Sequence, residues 1–270
     1  MKPVAVITGA SAGIGAELAR VFAANGHQLA LVARREQRLR ELAEEIAASG
    51  HPKPLVMALD LAQRDVSIEL GRALAANDCE PQYMVNNAGF GLIGRAAELD
   101  RAQQLEIVDV NARTLLDLSL AFVDSLARHR GGILNVASVA GVMPGPGSAV
   151  YYASKAFALS FSEALHQELK PLGIRVTCLC PGPVSTEFQL RAGITGSAPN
   201  RLIDVPAAKV AAAGYRGLMR GKRVVVPGLV PKLLFALVPR IMPRNLLLGQ
   251  LEARQVARRA SLKAASLLEP

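Results

Sequence analysis

Short apolar runs recur along the chain, at residues 4–7, 29–32, 55–58, 133–136 and 176–180. Stretches rich in Ala, Leu, Glu and Arg lie between them, residues 35–48 being a clear case, and these read as surface helices. Such β-α alternation from the first residues predicts a doubly wound parallel sheet with helices on both faces, a three-layer α/β/α arrangement. The filling must come from aliphatic side chains and Ala, because aromatics make up 4% of the chain and Trp is absent. At 270 residues the chain is long enough for one large domain, expected over 1–226, followed by a C-terminal helical extension over 227–270.

The first apolar run leads into Thr8-Gly9-Ala10-Ser11-Ala12-Gly13-Ile14-Gly15 and then a helix expected to reach about residue 24. Glycines at 9, 13 and 15 let the backbone turn tightly, approach a pyrophosphate and pack the helix on the sheet. The helix N-terminus offers free N–H groups and a partial positive charge to the phosphates. Placed between the first strand and first helix of an α/β chain, the pattern predicts a dinucleotide site. The end of the second run distinguishes the nucleotides, since a carboxylate there would bind the ribose 2′-OH of NAD and an Arg the extra phosphate of NADP. Here it reads Ala33-Arg34-Arg35 with no acid, so Arg34 is the expected phosphate ligand, with Arg35 or Arg38 assisting.

Around residues 133–155 the pattern becomes catalytic. The run 133–137 ends at Ser138, a loop rich in Gly and Pro follows, and then come Tyr151-Tyr152-Ala153-Ser154-Lys155. On a helix Tyr151 and Lys155 share a face with Cβ atoms about 5–6 Å apart and can converge on one point, a role that Tyr152 cannot take with Lys155. A phenol with a pKa of ~10 is a poor acid–base catalyst near neutrality, and a neighbouring ammonium is expected to lower that value. Ser138 could hold a substrate oxygen while the phenol exchanges its proton.

Together these motifs resemble the short-chain dehydrogenase/reductase family over about residues 4–226. The resemblance rests on the glycine turn, Asn86-Asn87-Ala88-Gly89, Asn111, Ser138, the Tyr-x-x-x-Lys helix and Pro181-Gly182-Pro183-Val184-Ser185-Thr186. It implies a Rossmann-like fold and NADPH-dependent reduction of a ketone to a secondary alcohol. It implies a tetrad of Asn111, Ser138, Tyr151 and Lys155. Tyr151 would be the general acid, and Ser138 would orient the carbonyl. Lys155 would hold the nicotinamide ribose and depress the phenol's pKa, and Asn111, inside a long helix expected over 101–128, would retain a water. Cofactor contacts would come from Gly9, Ser11, Gly13, Ile14, Arg34, Asp60, Leu61, Asn87, Ala88, Gly89, Tyr151, Lys155, Pro181, Gly182, Val184 and Thr186. Asp60 has a second reading as a helix N-cap.

Several classes fit poorly. Cys79, Cys178 and Cys180 show no metal-ligand spacing, and an odd count argues against a disulfide framework. With the first strand beginning beside Met1 there is no room for a targeting segment, and the cytoplasm is the expected location. The net charge of +9 is concentrated in residues 220–270, where ten Lys and Arg residues face only Glu252 and Glu269. No nucleic-acid motif accompanies that charge. Residues 229–248 approach a bilayer span in length, but Pro231, Pro239, Pro243, Lys232, Arg240 and Arg244 argue for short amphipathic helices instead. Such helices would serve as a lid over the substrate, an oligomer interface or a contact with an anionic membrane surface. A homodimer or homotetramer through the helices at 101–128 and 151–171 is expected. The substrate stays open, hydrophobic and acyl-type carbonyls being candidates, and specificity is expected from residues 90–95, 142–150 and 186–200. An NADP-binding sensor or scaffold with little turnover is the alternative from another class, though it has no need of Tyr151 and Lys155 together.

Overall fold

The computed structural model describes residues 1–184, Glu187, residues 204–241 and the four positions Asn245, Leu248, Gly249 and Glu252. Seven strands form one parallel sheet in the order β3-β2-β1-β4-β5-β6-β7. They are β1 (Lys2–Thr8), β2 (Leu29–Ala33), β3 (Leu55–Ala58), β4 (Cys79–Asn86), β5 (Gly132–Val136), β6 (Arg175–Leu179) and β7 (Val224–Val225). Helices α1 (Gly13–Ala24), α2 (Glu36–Ala48) and α8 (Ala207–Met219) cover one face. The other carries α3 (Val66–Ala76), α4 (Arg101–Val108), α5 (Leu115–Ala121), α6 (Val123–Arg128) and α7 (Ala149–Glu168).

Alternating strand side chains make the three layers. Along β1, Ala5 and Ile7 enter the core shared with Leu18, Phe22 and Leu39, while Val4 and Val6 enter the core shared with Leu70, Leu118 and Leu165. Strand order reverses at β1, whose neighbours are β2 and β4. The crossovers leave in opposite directions there, so the carboxyl ends of β1 and β4 open onto a crevice.

Three sequence expectations need revision. β4 was absent from the apolar runs because it opens Cys-Glu-Pro-Gln. Pro81 is tolerated at a bulge, where the partner of Val4 is Pro81 and the partner of Ala5 is already Tyr83. Glu80 is buried at 9% exposure because Arg128 and His129 both bind its carboxylate. Those hydrogen bonds hold its pKa down to about 2, Arg128 contributing most. The long helix expected over 101–128 is interrupted by a π-helical segment, Asp109–Thr114, and by a break at Phe122. In the extension, α9 (Leu229–Ile241) continues through residue 239, with Pro231 in its first turn, where a missing N–H costs little.

Cys178 and Cys180 share a face as expected, both buried and unoxidised with Sγ atoms 3.7 Å apart. Among the described residues no helix is long and apolar enough to cross a membrane, and no group of His, Cys, Asp or Glu could hold a metal ion.

Candidate active site

At the carboxyl end of β1 the backbone must pass very close to β4. Gly9 has φ +65°, and a Cβ there would lie 2.8 Å from both Ala88 Cα and Asn87 Nδ2. A Cβ on Gly15 would sit 2.3 Å from the Gly9 carbonyl oxygen, so neither position accepts a side chain. Polar groups lock the approach. Thr8 Oγ1 accepts the N–H groups of Asn87 (3.0 Å) and Ala88 (3.1 Å), while Asn87 Nδ2 donates to the Thr8 carbonyl at 2.9 Å. The N-cap of α1 is Ala12, which supplies no side-chain cap, and the first turn holds no acid. Its N–H groups and positive end are therefore available to an anion, which suits a dinucleotide pyrophosphate.

The arginines after β2 divide their contacts. Arg34 Nη1 binds Glu106 at 3.0 Å. Arg35 reaches back over the glycine turn, its Nη2 donating to Ser11 Oγ at 3.1 Å and its Nη1 to Glu187 at 2.8 Å. Both line the cleft; Arg38 does not, and its carboxylate neighbour is Glu41. Asp60 caps no helix, since α3 begins at Val66; its Oδ1 accepts the Ala62 N–H at 3.1 Å and closes a local turn. That loop is bolted to the π segment by Arg113, which donates to the Ala62 carbonyl, and by Thr114, which donates to that of Leu61, both at 2.6 Å.

Ser138 follows β5, and its Oγ accepts the Ala140 N–H at 3.1 Å at the start of a short 3-10 turn, Val139–Val142. Tyr151 and Lys155 project from α7 towards it. Lys155 Nζ lies 5.9 Å from the Tyr151 ring centroid and donates to the Val136 carbonyl at 2.9 Å. Burial lowers the Lys155 pKa to about 8, with Cys178 and Cys180 acting the other way. The expected depression of the tyrosine is reversed in this geometry. Burial pushes the Tyr151 phenol up to about 12, against the opposing pull of a hydrogen bond with Ser138, and Tyr152 adds to the rise. Desolvation outweighs the hydrogen bond because the phenol is enclosed, while the ammonium is turned to a backbone carbonyl.

Asn111 sits in the π segment and is fully buried. Its amide pairs with both polar groups of Phe90 and donates to Ser154 Oγ at 3.0 Å. It stands behind the cleft wall instead of lining it.

All the other expected site residues within the described chain converge on one cleft of about 460 Å³. These are Gly9, Ser11, Gly13, Ile14, Arg34, Asp60, Leu61, Asn87, Ala88, Gly89, Ser138, Tyr151, Lys155, Pro181, Gly182 and Val184. Thr186 lies outside the described residues. Sequence reasoning missed Glu106 and Ser154 as site residues, and it reached Gly91 only as part of the 90–95 specificity loop, which does line the cleft at Phe90, Gly91 and Ile93. A Cβ on Gly91 would meet Tyr151 Cδ2 at 2.8 Å, a closeness that no local pattern announces.

Comparison with known proteins agrees with this architecture. The sequence profile described as short chain dehydrogenase matches residues 3–194. The chain belongs to the short-chain dehydrogenase/reductase family, whose members are oxidoreductases that use a nicotinamide cofactor. Sulfoacetaldehyde reductase 2 of Chromohalobacter salexigens is 39% identical over 195 residues, covering 70% of this chain and 76% of the relative. An NADP-dependent 3-hydroxy acid dehydrogenase of Escherichia coli is 34% identical over 188 residues, covering 68% and 74%. Among solved structures, a short-chain dehydrogenase from Sphingobium yanoikuyae in complex with NADPH superposes with a TM-score of 0.75 at 28% identity, covering 97% of this chain and 96% of that one. A bulky-bulky ketone specific alcohol dehydrogenase from Comamonas testosteroni gives 0.73 at 30% identity, covering 85% and 87%.

Proposed function

We propose that this chain is an NADPH-dependent reductase that converts an apolar ketone to a secondary alcohol. The observation that carries the reading is the convergence of Ser138, Tyr151 and a buried Lys155 in one cleft whose far end presents Arg34 and Arg35. NADPH would supply the hydride from its nicotinamide. The chain's own residues position and protonate. Ser138 Oγ and Tyr151 Oη hold the carbonyl oxygen, and the phenol gives its proton to that oxygen as negative charge develops there. A phenol held near 12 is fully protonated at neutral pH, which is the form an acid needs for reduction. Lys155 keeps a positive charge at Tyr151 below about pH 8 and favours the phenolate left after proton transfer.

Preference for NADPH follows from two guanidinium groups at the end of β2, that of Arg35 reaching the Ser11 hydroxyl of the glycine turn, with no carboxylate immediately after the strand. Phe90, Ile93, Val139, Met143 and Tyr152 line the catalytic end and favour an apolar substrate. The Comamonas enzyme's ketone specificity and the cofactor named for the Sphingobium and Escherichia coli proteins support the same assignment. Leu105, Val108 and Phe157 are exposed on α4 and α7 and favour a homo-oligomer through those helices.

The test is NADPH oxidation against a panel of bulky ketones, 3-oxoacyl thioesters, steroids and sugars, with wild type and Tyr151→Phe. Turnover of apolar ketones by wild type alone is expected. Tight NADPH binding with no turnover across the panel would overturn the reductase reading.

A further inference from the structure

Helix α9 has two apolar faces, and among the described residues only one of them packs on a core. Pro231 is buried, and Phe235, two positions past Leu233, packs on the small core formed by Ala137, Leu159 and Cys180. That contact holds the helix against the Val139–Val142 turn. The opposite side is a stripe of leucines. Leu229, Leu233 and Leu237 follow one another at helical spacing, exposed by 74%, 50% and 48%, and Val230 stands beside them at 37%. At 100° per residue these four side chains fall within about 100° of arc, and Pro231 and Phe235 point nearly the opposite way.

Charge decides what such a stripe would meet. Exposed Lys232 flanks it within α9, and Lys222 and Arg223 are exposed just before the helix. Residues 220–270 together carry ten cationic side chains and two acidic ones, eight of the nine net charges of the chain. Two copies of this face would bring the exposed Lys232 of each together, which opposes self-association here. A nucleic acid would use the charge but leave the leucines wet. A bilayer surface with anionic headgroups satisfies both, taking the leucine stripe into the headgroup–acyl boundary and the cations at the phosphate level.

We propose that the outer face of α9 docks the protein on anionic phospholipid membranes as a peripheral contact. The leucine stripe and basic flank are independent of the reductase reading. Docking would bring the Ser138 turn, against which α9 rests, close to the bilayer, where an apolar ketone would partition.

Flotation of the full-length protein with vesicles tests the proposal. The two compositions are phosphatidylcholine alone and an equal mixture with phosphatidylglycerol. Wild type is expected to float with the anionic vesicles, weakly or not at all with the neutral ones, and less at high salt. Leu229→Gln/Leu233→Gln/Leu237→Gln should reduce partitioning about tenfold or more while retaining a wild-type circular dichroism spectrum and NADPH affinity. Equal flotation with both vesicle types, or undiminished flotation of a folded triple variant, overturns the proposal. So does a wild-type oligomer that the triple variant dissociates, because the stripe would then be a contact between copies of this chain. NADPH oxidation assayed without vesicles reads the reductase assignment separately.

Discussion

Asn111 grips Phe90 by both of its peptide groups: Oδ1 accepts the Phe90 N–H at 3.1 Å, and Nδ2 donates to the Phe90 carbonyl at 2.9 Å. The π segment thereby fixes the backbone just after Gly89, on the wall that faces Lys155. A carbonyl group accepting from a buried amide loses about 1–3 kcal/mol of support when its partner is removed without replacement. Asn111→Leu should therefore lower thermal stability and reduce kcat by about tenfold or more through a displaced wall. Asn111→Asp keeps an acceptor for Phe90 N–H and should retain more stability than the leucine variant. Steady-state kinetics with a melting curve on each protein checks this, and a fully active leucine variant would remove Asn111 from the site's support.

The opposed shifts of Tyr151 and Lys155 predict a pH profile. With the phenol near 12, the general acid remains protonated across neutral pH, so ketone reduction should be flat from about pH 6 to 7.5. Lys155, lowered to about 8, loses its charge as pH rises through that value, and reduction should fall along the same limb. Alcohol oxidation needs the phenolate and should instead increase with pH. Lys155→Met should give a lower rate whose profile lacks the break near 8. A break that persists in the variant would assign it to another group.

Arg34 and Arg35 are held by different partners. Arg34 is engaged by Glu106, whereas Arg35 stands over Ser11 on the glycine turn. Both substitutions to Ala should raise the KM for NADPH without improving that for NADH, by about five- to thirtyfold for a lost charge-assisted contact. Glu106→Gln should have the opposite effect on NADPH, because it releases Arg34 from a competing carboxylate. Cofactor KM values measured for the three variants with both nucleotides test the assignment, and an NADPH KM that neither arginine variant alters would sink it.

The legible and illegible parts of this chain separate along a physical line. Short-range chemistry was readable: the glycine turn, the i,i+4 spacing of Tyr151 and Lys155, and the β-α alternation each act within a few residues. β4 was hidden because its strand character depends on partners elsewhere, Arg128 and His129 on Glu80 and a bulge opposite Val4 that accommodates Pro81. The interruption at Asp109–Thr114 has no sequence signature either, since Asn111 earns its place through Phe90 and Ser154. Burial was the other unseen quantity. An ammonium one turn away promised an acidic phenol, and enclosure of Tyr151 reversed the sign.

Gly91 offers the sharpest probe of how tightly the tyrosine is held. A Cβ at that position would lie 2.8 Å from Tyr151 Cδ2 and 3.0 Å from Cγ, so the ring must yield by several tenths of an ångström. It has little room to do so, because Tyr152 lies edge-on to it at 6.1 Å and α7 fixes its Cα. Gly91 lies outside the glycine turn, residues 8–15, proposed to hold the nucleotide phosphates. Gly91→Ala should consequently reduce kcat by roughly tenfold, in line with the cost of misplacing a reacting group, and leave NADPH affinity within about twofold. Gly71→Ala on α3 is the matched control, since its added Cβ meets only Phe122 at 3.6 Å and Ala is the better helix former. Single-turnover reduction with fluorescence titration of NADPH separates the two effects. Wild-type kcat in Gly91→Ala would show that the Tyr151 ring can shift without cost, and would weaken the case that its position sets the rate.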